Sequence, residues 1–286
     1  MALEPPHPCR SLRDQHVVIT GGSTGIGLAL ARQAAAAGAR VSLIARDERK
    51  LAAARSTLQA AVPGSAPAAT ASADVASEVA VLAALRAVEA VHGPTDVLIT
   101  SAGVARPGYF EEVPVAVYER TMAVNYFGTL YPVKAVVPAM RARGRGAVIL
   151  ISSGAGLYGF FGYTPYAPSK FALRGFAEAL RAELHGTGVH LSIVYPPDTD
   201  TPQLAEENLT KPAETKALTA GGGLWTADAV ARVTLRGLAR RRFAIAPGFQ
   251  LTALLWLHSV LAPVLHWSFD RTARKARPRA QPENAR

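Results

Sequence analysis

Short apolar runs alternate along the chain with segments whose apolar residues recur at helical spacing. Uninterrupted apolar runs are typical of strands buried on both faces, and helices between them make the crossovers that parallel strands need. The pattern therefore predicts an α/β fold, a doubly wound parallel sheet with helices on both faces. The predicted strands cover residues 16–20, 40–45, 68–73, 95–100, 147–153, 189–195 and 243–246.

The same pattern divides the chain into three parts. Residues 16–248 form the predicted sheet domain, and residues 1–15 form an N-terminal arm without the apolar core of a secretory signal. Within the domain, residues 196–225 are polar and contain several prolines and glycines, so we expect a substrate lid hinged at Gly221-Gly222-Gly223. Residues 249–286 are an apolar segment with a basic tail, which predicts a C-terminal apolar helical extension.

Composition narrows the class of protein. The 286 residues are 49% hydrophobic, enough to bury the core of one large domain. Cys9 is the only cysteine, which excludes an internal disulfide and a zinc site built from cysteines. We predict no metal site and a cytoplasmic location. A net charge of +10 suggests nucleic acid or anionic lipid as a partner, but no basic stripe is interleaved with aromatic residues for base stacking, so we expect no nucleic acid.

The basic residues near the C-terminus follow an apolar segment directly. Residues 251–269 are strongly apolar but include His258, Pro263 and His266. A spanning helix needs about 20 mostly apolar residues, so we expect residues 251–279 to contact the cytoplasmic membrane face peripherally. The alternative is a C-terminal helix buried at a dimer interface. The basic residues are Arg271, Arg274, Lys275, Arg277 and Arg279.

A glycine-rich turn joins the first predicted strand to the first predicted helix. Glycines at this place let backbone N–H groups approach a pyrophosphate at the helix N-terminus, as in Rossmann dinucleotide-binding folds. The alternative is a simple turn, but the position between a strand and a helix favours nucleotide binding. The predicted contacts are Gly21, Ser23, Thr24, Gly25, Ile26 and Gly27.

The second predicted strand ends at Arg46, and Lys50 follows one helical turn later. Folds specific for NAD usually place a carboxylate here for the ribose hydroxyls. A guanidinium and an ammonium instead suit a 2′-phosphate, so the sequence predicts NADP(H). The alternative is that Arg46 is solvated and Asp47 or Glu48 contacts the ribose.

Two further strand ends supply candidate cofactor contacts. Asp74 and Val75 follow the third strand, where Asp74 either meets the edge of the adenine or caps the next helix. Ala102 and Gly103 follow the fourth strand, and their small size lets a cofactor pass close to the backbone.

A hydroxyl, a phenol and an ammonium follow the fifth predicted strand. If Pro165 opens a helix, Tyr166 and Lys170 project from one face of it, and Ser153 lies at the strand end, within reach of the phenol. The positive charge of Lys170 should then lower the pKa of Tyr166 toward working pH, which suits a general acid. The alternative is that Tyr166 merely caps a core.

Asn125 lies near the middle of a long predicted helix, residues 115–140. An asparagine inside a helix is usually a surface polar residue or a hydrogen-bonding core residue. Beside Tyr166 and Lys170 it could instead kink the helix and hold the water of a proton relay.

Together these residues resemble the short-chain dehydrogenase/reductase family over roughly residues 14–248. The resemblance implies that Tyr166 is the acid/base, Ser153 binds the carbonyl oxygen and Lys170 binds the ribose and tunes the tyrosine. It further implies that Asn125 holds the relay water and that family members often associate as dimers or tetramers. Two departures stand out: Thr100-Ser101 where the family usually has Asn-Asn, and Pro196-Pro197 where it usually has Pro-Gly. Pro196, Thr199 and Thr201 hold the positions that would contact the nicotinamide.

The run from Tyr195 to Thr215 resembles a branch of this family that acts on lipids. That resemblance implies NADPH-dependent reduction of the 3-keto group of 3-ketodihydrosphingosine, a long-chain sphingoid base, in sphingolipid synthesis. One alternative is an NADP-dependent reductase of another hydrophobic carbonyl, such as a steroid, a retinoid or a long-chain ketone. The other is a non-catalytic NADP-binding protein.

Overall fold

The computed structural model describes residues 7–219 and 223–276. Seven parallel strands form the central sheet in the order β3-β2-β1-β4-β5-β6-β9. The strand order reverses between β1 and β4, so a crevice opens at their carboxyl ends. The doubly wound parallel fold predicted from the sequence is confirmed. The strands are β1 (His16–Thr20), β2 (Arg40–Ala45), β3 (Ala69–Ser72), β4 (Val97–Thr100), β5 (Gly146–Ile151), β6 (Val189–Val194) and β9 (Ala244–Ile245).

Helices cover both faces of this sheet. A second, two-stranded sheet pairs β7 (Thr199–Asp200) with β8 (Trp225–Thr226) beside the carboxyl ends of the main strands. The helices are α1 (Gly25–Ala36), α2 (Glu48–Ala61), α3 (Glu78–His92), α4 (Val115–Met122), α5 (Gly128–Ala142), α6 (Tyr166–Glu183), α7 (Pro202–Thr210), α8 (Ala213–Thr219), α9 (Ala227–Ala239) and α10 (Phe249–Ala276).

The alternation of strand side chains builds two core layers. In β1, Val17 and Ile19 point to the layer formed with α1, α2 and α9, whereas Val18 points to the layer formed with α3, α5 and α6. All three are fully buried, as expected for a strand covered on both faces. Cys9 and Leu12, which precede β1, are also buried in the first layer.

Two predicted stretches differ from the structure. The helix predicted over 115–140 is interrupted by a π-helical turn, Ala123–Phe127, which contains Asn125 and separates α4 from α5. The segment expected to be a polar loop is instead helical. Thr201 caps α7 through a hydrogen bond to the Leu204 N–H, and Lys211, extended before Pro212, separates α7 from α8.

The expected hinge and the basic tail are described only in part. Gly223 has φ of 70°. Gly221 and Gly222 of the hinge lie outside the described residues, as do Arg277 and Arg279 of the tail.

The apolar C-terminal segment is one helix, α10, with Leu254 and Leu255 packed against the second core layer. Within residues 7–219 and 223–276, no helix is both long enough and apolar enough to cross a membrane.

Candidate active site

The turn between β1 and α1 can adopt its shape only with glycine. Gly21 and Gly25 have φ of 67° and 55°, in the left-handed region that other residues avoid. A Cβ on Gly27 would lie 2.2 Å from the carbonyl oxygen of Gly21. Backbone therefore packs on backbone here, and the N-terminal N–H groups of α1 face the crevice, where they suit a phosphate. Ser23, Thr24 and Ile26 line the same crevice.

The end of β2 favours a 2′-phosphate over two ribose hydroxyls. The carboxylate of Asp47 accepts the backbone N–H groups of Arg49 and Lys50, 2.9 and 3.1 Å away, and so caps α2. The hydrogen bond from the Lys50 N–H has the larger effect, and with that from the Arg49 N–H it holds the pKa of the Asp47 carboxyl below its usual value. Arg46 is exposed at the same edge of the crevice, which Lys50 also lines. With Asp47 engaged in capping, these two cations fit the phosphate of NADP.

Asp74 holds two elements together at the far wall. Its carboxylate accepts the Ala76 N–H at 3.0 Å and pairs with Arg120 of α4 at 2.9 Å. Burial raises its pKa, but these two partners outweigh burial and hold the pKa below its usual value. Ser77, not Asp74, is the N-cap residue of α3, so the capping interpretation of Asp74 is wrong. Asp74 and the buried Val75 both line the crevice, and their contact with adenine stays a prediction.

Asn125 joins the loop after β4 to α6. Its side chain accepts the Val104 N–H at 2.9 Å and donates to the Val104 carbonyl at 3.0 Å and to the Ser169 hydroxyl at 2.9 Å. The amide is fully buried and fully engaged. Asn125 therefore positions the Ala102 and Gly103 loop against the helix that carries Tyr166, and the relay water stays a prediction.

Ser153, Tyr166 and Lys170 converge at the carboxyl end of β5. Tyr166 opens α6, as predicted, and its phenol lies close enough to the Ser153 hydroxyl for the serine to lower the pKa of the phenol. The Nζ atom of Lys170 lies 5.4 Å from the centroid of the Tyr166 ring and donates to the Ile151 carbonyl at 3.2 Å. Both the phenol and the ammonium are buried. The three groups could hold one carbonyl oxygen and deliver a proton to it.

The expected lowering of the Tyr166 pKa is wrong for this structure. Burial, and then the negative charge of Glu207, raise the pKa of Tyr166 above its usual value. The Nζ atom of Lys170 lies 5.4 Å from the ring centroid, and burial lowers the pKa of Lys170 to about 8. The phenol is thus held in its protonated form, which is the form that a proton donor needs.

Comparison with known proteins decides the family. The family model described as short chain dehydrogenase matches residues 15–212. The chain is a member of this family. It is 41% identical to 3-dehydrosphinganine reductase of Danio rerio, over 87% of this chain and 76% of that one. It is 38% identical to 3-ketodihydrosphingosine reductase of Bos taurus, over 89% and 77%.

Solved structures agree with this assignment. A short-chain dehydrogenase/reductase of Burkholderia phymatum in complex with NAD matches with a TM-score of 0.79 at 25% identity, over 89% of this chain and 96% of that one. An actinorhodin polyketide ketoreductase with NADPH matches with a TM-score of 0.74 at 28% identity, over 84% and 98%. The short-chain dehydrogenase fold and its oxidoreductase class therefore apply here.

Pro196-Pro197, which replaces the usual Pro-Gly of the family after β6, lies beside the crevice of this short-chain dehydrogenase. Pro196 lines the crevice and accepts the Gly154 N–H at 2.9 Å. The Thr199 hydroxyl donates to the Pro197 carbonyl at 2.8 Å, and the Thr201 hydroxyl serves the cap of α7. Contact of either threonine with the nicotinamide stays a prediction, although both line the crevice.

The lid contributes polar groups that the sequence analysis did not assign. On α7, Gln203 and Glu207 lie one turn apart and face the site, and the carboxylate accepts the Tyr163 hydroxyl at 2.8 Å. The buried Lys211 pairs with Asp198 at 3.2 Å. The spacing of Gln203, Glu207 and Lys211, four residues apart each time, was a signal for one polar helical face.

Helix α8 is fastened to the same site. The Tyr109 hydroxyl donates to Glu214 at 3.0 Å, and the Thr215 hydroxyl donates to the Phe161 carbonyl at 2.9 Å. The buried polar side chains of this run, Glu214 and Thr215 among them, therefore hold α8 over the crevice.

One cavity of about 410 Å³ unites these parts. It runs from the glycine turn past Arg46 to Tyr166 and under the lid helices. Gly27 and Asn125 do not line it and act from behind its wall. The predicted residues that line it are Gly21, Ser23, Thr24, Gly25, Ile26, Arg46, Lys50, Asp74, Val75, Ala102, Gly103, Ser153, Tyr166, Lys170, Pro196, Thr199 and Thr201.

Proposed function

We propose that this enzyme reduces 3-ketodihydrosphingosine to dihydrosphingosine with NADPH, as a step of sphingolipid synthesis. The observation that carries the proposal is the similarity to curated 3-ketodihydrosphingosine and 3-dehydrosphinganine reductases. These relatives are 38–41% identical over 83–89% of this chain. The site supports it, since a protonated phenol, a serine hydroxyl and a pair of cations at the end of β2 suit NADPH-dependent reduction of a ketone.

The residues of this chain share the work of reduction. NADPH, when bound, supplies the hydride that the carbonyl carbon accepts. Ser153 and Tyr166 bind the carbonyl oxygen, and Tyr166 donates its proton as negative charge develops there. Lys170, with a pKa of about 8, is mostly charged at neutral pH and stabilises the phenolate that remains.

A path for the long alkyl chain supports a lipid substrate. A second cavity of about 420 Å³ lies between α10 and the residues that follow β5. Leu218 of α8 lines both this cavity and the catalytic one, so the two cavities adjoin at this residue. Most of the wall is apolar, including Leu157, Phe171 and Phe269. We assign this second cavity to the alkyl tail, with the ketone at Tyr166.

We further propose that the enzyme lies peripherally on the cytoplasmic face of a membrane. Six large apolar side chains of α10 are exposed although their helix is packed on the core, and Arg271, Arg274 and Lys275 follow them. An apolar face flanked by cations suits anionic lipid headgroups better than water. The exposed residues, the α10 stripe below, are Phe249, Trp256, Leu257, Val260, Val264 and Trp267.

Association into a homo-oligomer is a separate proposal. The helices around Asn125 and Tyr166 each expose an aromatic residue, Phe127 and Phe171, at about two fifths of full exposure. Aromatic residues are enriched at protein interfaces. We infer a dimer or tetramer through α5 and α6, which sedimentation of the purified protein would report as mass.

A substrate panel tests the proposed reaction. We expect purified enzyme in mild detergent to oxidise NADPH with 3-ketodihydrosphingosine, and to turn over a steroid ketone or a retinoid aldehyde far more slowly. Equal or faster turnover of the steroid would keep the mechanism and replace the substrate. Tight NADPH binding without turnover of any carbonyl would instead support a non-catalytic binding protein.

A further inference from the structure

A buried carboxylate lies beside the catalytic tyrosine, whose pKa it raises, and it binds neither the cofactor nor the carbonyl oxygen in the reduction described above. Glu207 of α7 is 6% exposed and lines the catalytic cavity. One of its oxygens accepts the Tyr163 hydroxyl at 2.8 Å and the other accepts the Gln203 amide at 2.9 Å. Two neutral donors thus fix the direction of the carboxylate, and each oxygen keeps a free lone pair.

Within the described residues no cation lies at ion-pair distance from this carboxylate, although the charge of Lys170 acts on it across the site. Glu207 forms no ion pair there, and the nearby Lys211 is paired with Asp198. A buried charge without a counterion is costly, and such groups are normally paired. A cation brought by a ligand would remove that cost.

The carboxylate is close to the reacting carbonyl. Gln203 donates to Glu207 and also lies close enough to the Tyr166 hydroxyl to lower its pKa, so the amide lies between the anion and the proton donor. The rings of Tyr163 and Tyr166 lie 5.5 Å apart between centroids, which gives a second connection. A cation held by Glu207 would therefore lie next to a carbonyl held by Tyr166.

We propose that Glu207 binds the ammonium group of an amino ketone substrate, with Gln203 and Tyr163 orienting it. The inference rests on the proposed function, because 3-ketodihydrosphingosine carries its amino group on the carbon next to the carbonyl. A hydrogen-bonded ion pair at that position selects the amino ketone against neutral ketones of the same length, since these leave the carboxylate buried and unpaired.

The other acidic residues near the site do not fit this role. Asp198 is neutralised by Lys211, and Glu206 lines the cavity but is exposed to solvent. Glu214 of α8 is engaged by Tyr109. Among the described residues that line the cavity, Glu207 combines burial, orientation and proximity to Tyr166.

The test compares two substrates on one variant. Glu207→Gln keeps the shape of the side chain and removes its charge. We expect its kcat/KM for 3-ketodihydrosphingosine to fall by about 30-fold or more, the usual cost of removing one partner of a buried charge pair. For the matching hydroxyketone with hydrogen in place of the amino group, we expect a change of less than about threefold.

Controls separate this inference from the proposed function and from misfolding. Glu183→Gln removes the same charge from an exposed position at the end of α6 and should leave both substrates unaffected. Turnover of the amine-free ketone by Glu207→Gln itself shows that the variant is folded, and Glu207→Asp should recover part of the lost activity. An equal loss for both substrates, or none for either, would overturn the role of Glu207. Failure of the unmodified enzyme to reduce the amino ketone would instead refute the proposed function.

Discussion

Burial, rather than the lysine charge, sets the protonation of the catalytic tyrosine. The phenol of Tyr166 lies in a site that excludes water, and Glu207 adds negative charge nearby, so both effects raise its pKa. A tyrosine in this state donates a proton readily only when the acceptor gains negative charge, as a ketone oxygen does during reduction. The direction of the pKa shift therefore fits the reductive reaction.

The preference for NADPH over NADH depends on the side chain of Arg46 more than on any other. Arg46→Ala should raise the Kd of NADPH by about 10-fold or more, since a hydrogen-bonded charge is removed from the 2′-phosphate, and should change the Kd of NADH little. Fluorescence titration with each cofactor measures both. Arg49→Ala, on the exposed first turn of α2 and outside the cavity, is the matched control. A similar weakening for both cofactors would contradict the phosphate assignment.

The site residues that belong to local motifs could be predicted from the sequence. The properties that depend on tertiary contacts could not. Gly21, Tyr166 and Lys170 could be placed because a strand, a turn and a helix fix their spacing. The pKa of Tyr166 could not, because its ring is buried against Tyr163 and the charge of Glu207 comes from α7, which is distant in the sequence. The role of Asp47 as the N-cap of α2 was likewise not predicted from the sequence and is seen only in the structure.

Helix α10 presents two different faces. Its inner side brings Leu251 to the catalytic cavity and Phe269 against Tyr158, with ring centroids 4.9 Å apart. Its outer side is the α10 stripe, which includes Trp256 at 77% exposure and Trp267 at 60%. One helix therefore connects the substrate path with the surface that we assign to lipid.

Vesicle binding tests the assignment of the outer face. The unmodified enzyme should sediment with anionic vesicles and bind neutral ones less, and Trp256→Ser/Trp267→Ser should lose most of this binding, because the stripe loses its two largest apolar groups. Val79→Ser/Val91→Ser changes two similarly exposed residues of α3 and should bind as the unmodified enzyme does. Absence of vesicle binding by the unmodified enzyme, or full binding by the double tryptophan variant, would reject the proposal.

The predicted and observed ends of strands and helices agree where hydrophobic burial alone determines them. The strands β1, β2 and β6 begin and end within one residue of the prediction, because uninterrupted apolar runs between turns leave little choice. The π-helical turn at Asn125 and the helices α7 and α8 could not be located this way. Their shape depends on side-chain contacts with the loop after β4 and with Tyr163, Asp198 and Tyr109.

At the scale of the whole molecule, the parallel sheet places every reactive group at one edge. The carboxyl ends of β1, β2, β4, β5 and β6 carry, in that order, the glycine turn, the cations, the small loop, the catalytic residues and the segment that leads to α7. Helices α7 and α8 lie over this edge and α10 flanks it, so the cavity that we assign to the alkyl tail adjoins the catalytic cavity on the side of α10. The fold thus places an apolar cavity beside a nucleotide site.

The most direct measurement follows the hydrogen that is transferred. Enzyme, 3-ketodihydrosphingosine and NADPH deuterated at the transferable position of the nicotinamide should give dihydrosphingosine with one deuterium on the former carbonyl carbon, as detected by mass spectrometry. Tyr166→Phe should bind NADPH and give no labelled product, because the proton donor is lost. No labelled product from the unmodified enzyme, or equal labelling by Tyr166→Phe, would contradict the proposed reaction and its mechanism.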